Sequence, residues 1–206
     1  WELREKSQKD SLTGLWNHST IQQKIAEKLK GLQKGKNGYL VVLDVDSFKK
    51  INDTNGHLFG DAVLCSFADE MRKHFPDALC GRIGGDEFVF YVEDMERSTL
   101  KEKLKQLNRC MSDRYDDDKT GLHISCSLGV AVTNGAVMDY HLLFQWADAA
   151  LYQVKSKGKG AFYLLEVTEG VALPGKSYLE SEENKEDEIA HKEARFDSEE
   201  DLVLFC

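Results

Sequence analysis

Hydrophobic residues fall along this chain in stretches of helical and strand period. From Ser19 to Leu32, Ile21, Ile25, Leu29 and Leu32 recur at helical spacing, and the GKNG that follows ends the helix. Residues 39–45, YLVVLDV, form an unbroken apolar run closed by an acid, the pattern of a strand buried on both faces. Residues 47–75 predict two helices broken near Asn55-Gly56, the second carrying Val63, Phe67, Met71 and Phe75 on one face. Residues 79–83 and 87–92 predict two short strands joined through Gly84-Gly85, which is hairpin chemistry. A helix with Leu100, Leu104, Leu107 and Met111 in phase follows, then an alternating strand over 122–133. Residues 140–156 predict a helix with Leu143, Trp146, Ala150 and Val154 inward, and AFYLLEV a last strand. Residues 1–9 read as the end of a polar helix. The order α-β-α-α-β-β-α-β-α-β predicts an α/β (α+β) domain, a sheet covered by helices and partly antiparallel because of the hairpin.

Composition narrows this picture. The chain has 206 residues, 41% of them hydrophobic, enough for one domain with a real core plus an appendage. No run approaches the ~18 apolar residues of a membrane helix, and no signal peptide opens the chain. It begins with Trp1, as a piece of a longer protein would. The five cysteines are scattered, without zinc-ligand spacing, and read as reduced thiols of a cytoplasmic protein. The net charge of −9 lies wholly in residues 166–206, which hold 4 basic and 13 acidic groups. There the periodic pattern fails, and residues 167–206 read as an acidic extension or linker. Residues 1–165 balance, so neither a nucleic-acid surface nor a membrane contact is expected.

Two acidic sites stand out. Asp44 ends the buried strand, with Asp46 two residues on, and Asp86-Glu87 follows Gly84-Gly85 at a hairpin tip. Magnesium takes one or two carboxylates plus substrate phosphates, so Asp44 and Asp86 could converge on a metal at one sheet edge if the strand lies beside the hairpin. The same residue types are also ordinary turn punctuation. No P-loop, HExxH or GxSxG motif occurs. Lys155, Lys157 and Lys159, with Gly158 and Gly160, close a helix, where they suit either its dipole or a phosphate.

Five segments resemble, in order, the motifs of the GGDEF domain family of diguanylate cyclases. They are DSLTGLWN at 10–17, LDVDSFKKINDTNGHLFGD at 43–61, RIGGDEF at 82–88, SLGVA at 127–131 and DAALYQVKSKGKG at 148–160. The resemblance covers roughly residues 8–166. It implies a nucleotidyl-cyclase-like fold with a central five-stranded mixed sheet flanked by helices, and a domain spanning 10–166. It also implies an activity, the joining of two GTP into cyclic di-GMP across a homodimer. In that reaction each 3′-hydroxyl attacks the α-phosphate of the other nucleotide and pyrophosphate leaves.

Carried over by position, Asp44, the Val45 carbonyl and Asp86 resemble the ligands of two Mg²⁺ (or Mn²⁺) ions per site. Asp86 and Glu87 match the catalytic acids, Asp86 as proton acceptor. Asn52 and Asp61 match the guanine-reading residues, with Phe48 and His57 in the same substrate-binding segment. Lys49, Lys155 and Lys159 match cations that hold the triphosphate. Asp61 argues for GTP, because a carboxylate accepts from guanine N1–H and the 2-amino group together. Three positions depart from the family pattern: His18 and Lys159 stand where Arg is usual, and Gly160 where Asn is common. At the R-x-x-D product-inhibition positions this chain has Phe75 and Ala78, so feedback through that site is not expected. The resemblance further implies an upstream sensory module, of whose helical stalk residues 1–9 would be the last turns. The alternative is a non-catalytic module that binds GTP or cyclic di-GMP.

Overall fold

A computed structural model describes residues 8–117, 121–135, 137–167 and 202–204. In chain order the elements are α1 (His18–Leu29), β1 (Gly38–Val45), α2 (Phe48–Asn55), α3 (His57–His74), β2 (Leu79–Arg82), β3 (Glu87–Glu93), α4 (Arg97–Tyr115), β4 (Cys126–Thr133), α5 (Tyr140–Ser156), β5 (Ala161–Glu166) and β6 (Leu202–Leu204). The sheet order is β2-β3-β1-β4-β5-β6. All neighbours are antiparallel except β4 and β5, so the sheet is mixed, as expected.

β1 runs through the middle of the sheet, and its apolar run divides between two cores. Val41, Leu43 and Val45 face one core, with Val63, Phe67 and Met71 of α3 and Leu100, Leu104 and Leu107 of α4. Leu40 and Val42 face the other, with Ile21 and Ile25 of α1 and Trp146, Ala147 and Ala150 of α5. Successive side chains of a strand point to opposite faces, so a strand between two helical layers needs no polar position.

α5 lies so close on β4 that position 129 has room only for glycine. A Cβ there would overlap the Ala147 carbonyl oxygen and the Leu151 amide, both backbone atoms that cannot move aside. Gly129→Ala is therefore expected to cost about 3 kcal/mol or more, measured as a fall in the urea midpoint. An unchanged midpoint would contradict this packing.

Some boundaries differ from expectation. α1 stops at Leu29 rather than Leu32. β4 starts at Cys126 rather than residue 122, because Asp117 and Leu122 pair in a bridge and residues 123–125 turn toward the end of β1. Gln8 and Lys9 lie in a turn and an isolated bridge to Trp16, not in a helix. The expected stalk residues 1–7 lie outside the described residues. A sixth strand, β6, pairs with β5 where no element was expected, and residues 168–201 lie outside the described residues.

Candidate active site

The acidic residues meet where β1 ends and β3 begins. Asp44 pairs in register with Glu87 on one side and with Ser127 on the other. One residue beyond, the Val45 amide donates to the Asp86 carbonyl at 3.1 Å. Asp44, Val45, Asp86 and Glu87 thus share one corner of the sheet. Lys155, from the last turn of α5, reaches Asp44 Oδ2 at 2.7 Å.

This corner carries more negative charge than it neutralises. Burial pushes the Asp44 carboxyl up, Lys155 opposes that, and Asp86 and Asp46 add to it; the net direction is up. Burial also raises Glu87, with further contributions from Asp44 and Asp86, against the pull of Lys155. A hard dication would relieve this repulsion, so the donor set suits magnesium or manganese. The three carboxylates do not close as a set to within 4.8 Å of one another, so a bound ion would take further oxygens from substrate phosphates or water.

Asp46 does something different from Asp44. Its carboxylate is buried and accepts from the Ser125 and Ser127 hydroxyls at 2.7 Å each, and from the Gly160 amide at 3.0 Å. It ties the end of β1 to β4 and to the loop before β5. Ser47 follows in the left-handed region (φ 55°) and caps α2 without a side-chain bond. The first amides of α2 thereby remain available to an anion. Lys159 donates to Ser47 Oγ at 3.3 Å and so stands at this turn. A cavity of about 500 Å³ opens behind the turn, lined by Ser47, Lys50, Thr54, His123 and Lys159 among others. Neither Asn52, Asp61 nor Asp86 lines it, so it is distinct from the acidic corner.

The expected guanine-reading residues gather at the α2–α3 corner. The Asn52 side chain packs on Gly60, where a Cβ would overlap its Oδ1, and Asp61 is the next residue. Asn52 Oδ1 is buried against Gly60 without a hydrogen-bond partner in the chain. Phe48 is half-buried, while Lys49 and His57 are exposed on the first turns of their helices.

Arg82 and Asp10 hold the hairpin tip, a role not assigned from the sequence. Arg82 donates to the Gly85 carbonyl from Nη2 at 2.7 Å and from Nε at 3.2 Å, and from Nη1 to Asp10 Oδ1 at 3.2 Å. Asp10 also accepts from the Thr13 amide and hydroxyl. Burial pushes the Asp10 carboxyl up, but the Thr13 and Arg82 bonds outweigh it and hold it low. The signal was present in DSLTGLWN and RIGGDEF, which each contain one partner, but nothing in spacing pairs residues 72 positions apart.

The family described as "Diguanylate cyclase, GGDEF domain" matches residues 7–161. Diguanylate cyclase DgcP of Pseudomonas aeruginosa is 33% identical over 77% of this chain and 24% of its own length. Cyclic di-GMP phosphodiesterase PdeR of Escherichia coli is 32% identical over 78% of this chain and 24% of its own length. The chain thus spans about a quarter of the length of these two relatives. Among solved structures, the coiled coil and GGDEF domain of DgcB from Caulobacter crescentus, in complex with c-di-GMP, superposes with a TM-score of 0.67. It is 28% identical and the match covers 81% of this chain and 88% of that one.

Proposed function

Since the chain belongs to the GGDEF domain family, we propose that it is a diguanylate cyclase, condensing two GTP into cyclic di-GMP with release of two pyrophosphates. The observation that carries this reading is the charged corner itself: Asp44, Asp86 and Glu87 crowded at the strand ends, with Lys155 alone among the described residues forming an ion pair with Asp44. Asp44, Asp86 and the Val45 carbonyl would hold divalent ions. Such ions supply a lowered pKa for the attacking hydroxyl and neutralise the leaving pyrophosphate.

The chain's own groups do the rest. Asn52 and Asp61 take the guanine edge, the free amides of α2 and the cations Lys49 and Lys159 take the phosphates, and Asp86 accepts the 3′-hydroxyl proton, with Glu87 beside it. Lys155 serves the phosphates and restrains Asp44 in their absence. Two such half-sites must face each other, so the active species is a homodimer. An upstream sensory module would set that pairing, with this domain on the cytoplasmic side. Phe75 is buried against Phe90, ring centroids 4.7 Å apart, so it cannot serve as a phosphate-binding cation in product feedback.

The test is chromatography of the products formed from GTP and Mg²⁺. Cyclic di-GMP and pyrophosphate in a one-to-two ratio, at a rate per chain that rises with protein concentration, is the expected result. Retained GTP binding without product would favour the receptor reading.

Arg82 offers a second check. Because it fixes the Gly85 carbonyl from two nitrogens, Arg82→Ala should let the hairpin tip drift and lower turnover about ten- to a hundredfold. Lysine cannot reproduce the fork, so Arg82→Lys should recover little of the rate. Wild-type turnover in either variant would remove Arg82 from the account.

A further inference from the structure

Beyond Asp61, toward the other end of α3, a second group of ligand-type side chains meets. Glu70 and His74 lie one turn apart on α3, and Cys110 faces them from α4. Asp61 and Glu70 are about 14 Å apart along the helix, at 1.5 Å per residue. Glu70 Oε2 is 3.3 Å from His74 Nε2, and Cys110 Sγ is 3.7 Å from the same nitrogen. The three ligand atoms lie within 4.8 Å of one another, the one such group among the described residues.

We propose that Glu70, His74 and Cys110 form a zinc site that clamps α3 to α4. Zinc bound tetrahedrally to oxygen, nitrogen and thiolate at about 2.0–2.3 Å sets neighbouring ligand atoms roughly 3.3–3.6 Å apart. Two edges of the triangle already stand near that spacing. The set contains one nitrogen and one sulfur, which suits zinc and not magnesium.

Without a cation the group is mismatched. Nε2 can donate to Glu70 or accept from the Cys110 thiol, and not both at once. A zinc ion satisfies all three, on loss of the thiol proton. The outer contacts fit as well. Arg114 holds the other Glu70 oxygen, Oε1, at 2.7 Å and orients the carboxylate. Lys73 reaches Oε2 at 3.2 Å, but its side chain is 66% exposed and can turn into water. Lys103 donates to the His74 carbonyl. Binding of the dication with loss of the thiol proton adds one net positive charge, which Lys73 offsets by turning away into water. His74 and Cys110 are only partly buried, which leaves a path and a fourth position for water.

Co²⁺ is the probe, added to the whole chain in excess Mg²⁺ to cover the Asp44–Asp86 corner. The expected result is one Co²⁺ per chain with tetrahedral visible bands and a thiolate charge-transfer band, displaced by Zn²⁺. Cys110→Ser should abolish the charge-transfer band, and His74→Gln should weaken binding at least ~10-fold. Cys65→Ser should change neither, since that thiol donates to the Leu12 carbonyl elsewhere. Zinc should raise the melting temperature of the wild type and not of Cys110→Ser. Absence of the band in the wild type, or its survival in Cys110→Ser, would overturn the site. None of these readouts uses cyclase activity, so the zinc site and the proposed reaction stand or fall separately.

Discussion

Replacing Asp86 with alanine should lower cyclic di-GMP formation by about 10³-fold or more while leaving the fold intact. The two halves of that expectation come from different atoms of one residue. Its carbonyl accepts from the Val45 amide and joins β1 to the turn before β3, and alanine keeps that carbonyl. Its carboxylate faces the crowded corner, where it raises the proton affinity of both Asp44 and Glu87. Losing one preorganised charged group in such a site typically costs 10²–10³ in rate, and here the same group would serve as both ligand and proton acceptor. Removing it should also let Asp44 and Glu87 ionise at lower pH. The check is initial rate beside circular dichroism and urea unfolding of the same preparation. A rate within tenfold of the wild type, with an intact fold, would take Asp86 out of the chemistry.

Asp46→Ala should act in the opposite way, through stability first. This carboxylate gathers two hydroxyls and one amide from three separate places, Ser125, Ser127 and Gly160. Alanine would leave these donors facing a gap in a site that is nearly dry. Hydrogen bonds to a charged group are worth about 1.5–3 kcal/mol each, and breaking a buried charged network costs about 3–5 kcal/mol in total. The expected loss is therefore about 3–5 kcal/mol, read from the urea midpoint at constant m-value. Asp46→Asn keeps one acceptor oxygen and should lose less. A loss below about 1 kcal/mol for alanine, with activity gone, would contradict this structural role and place Asp46 in the chemistry.

How much of this was readable in the chain depends on range. β1 announced itself because every residue of YLVVLDV but Asp44, next to its end, is apolar, and both of its faces are indeed covered. The stripes at Val63, Phe67 and Met71 and at Leu100, Leu104 and Leu107 named the helix faces that pack on the sheet. The acidic corner was legible because strand ends and hairpin tips are local features, and antiparallel pairing of β1 with β3 brings Asp44 opposite Glu87. Long-range polar contacts were not legible. Asp44 and Asp46 look alike in sequence, yet the chain leaves the strand after Val45 and turns Asp46 onto Ser125 and Ser127. The cluster at the end of α5 left dipole and phosphate both open. The structure sets Lys155 on Asp44 and Lys159 on Ser47. β6 escaped notice because three apolar residues beside an acidic stretch carry no period, and their strand form comes from pairing with β5.

The central claim is that this corner joins two GTP molecules. The most direct test runs wild type and Asp86→Ala side by side with GTP and Mg²⁺, at matched and increasing protein concentration, and separates the nucleotides by chromatography. The account predicts cyclic di-GMP from the wild type, at a specific rate that climbs with concentration, and essentially none from the variant. No cyclic di-GMP from the wild type at any concentration, even when chains are paired by a fused parallel coiled coil, would contradict it.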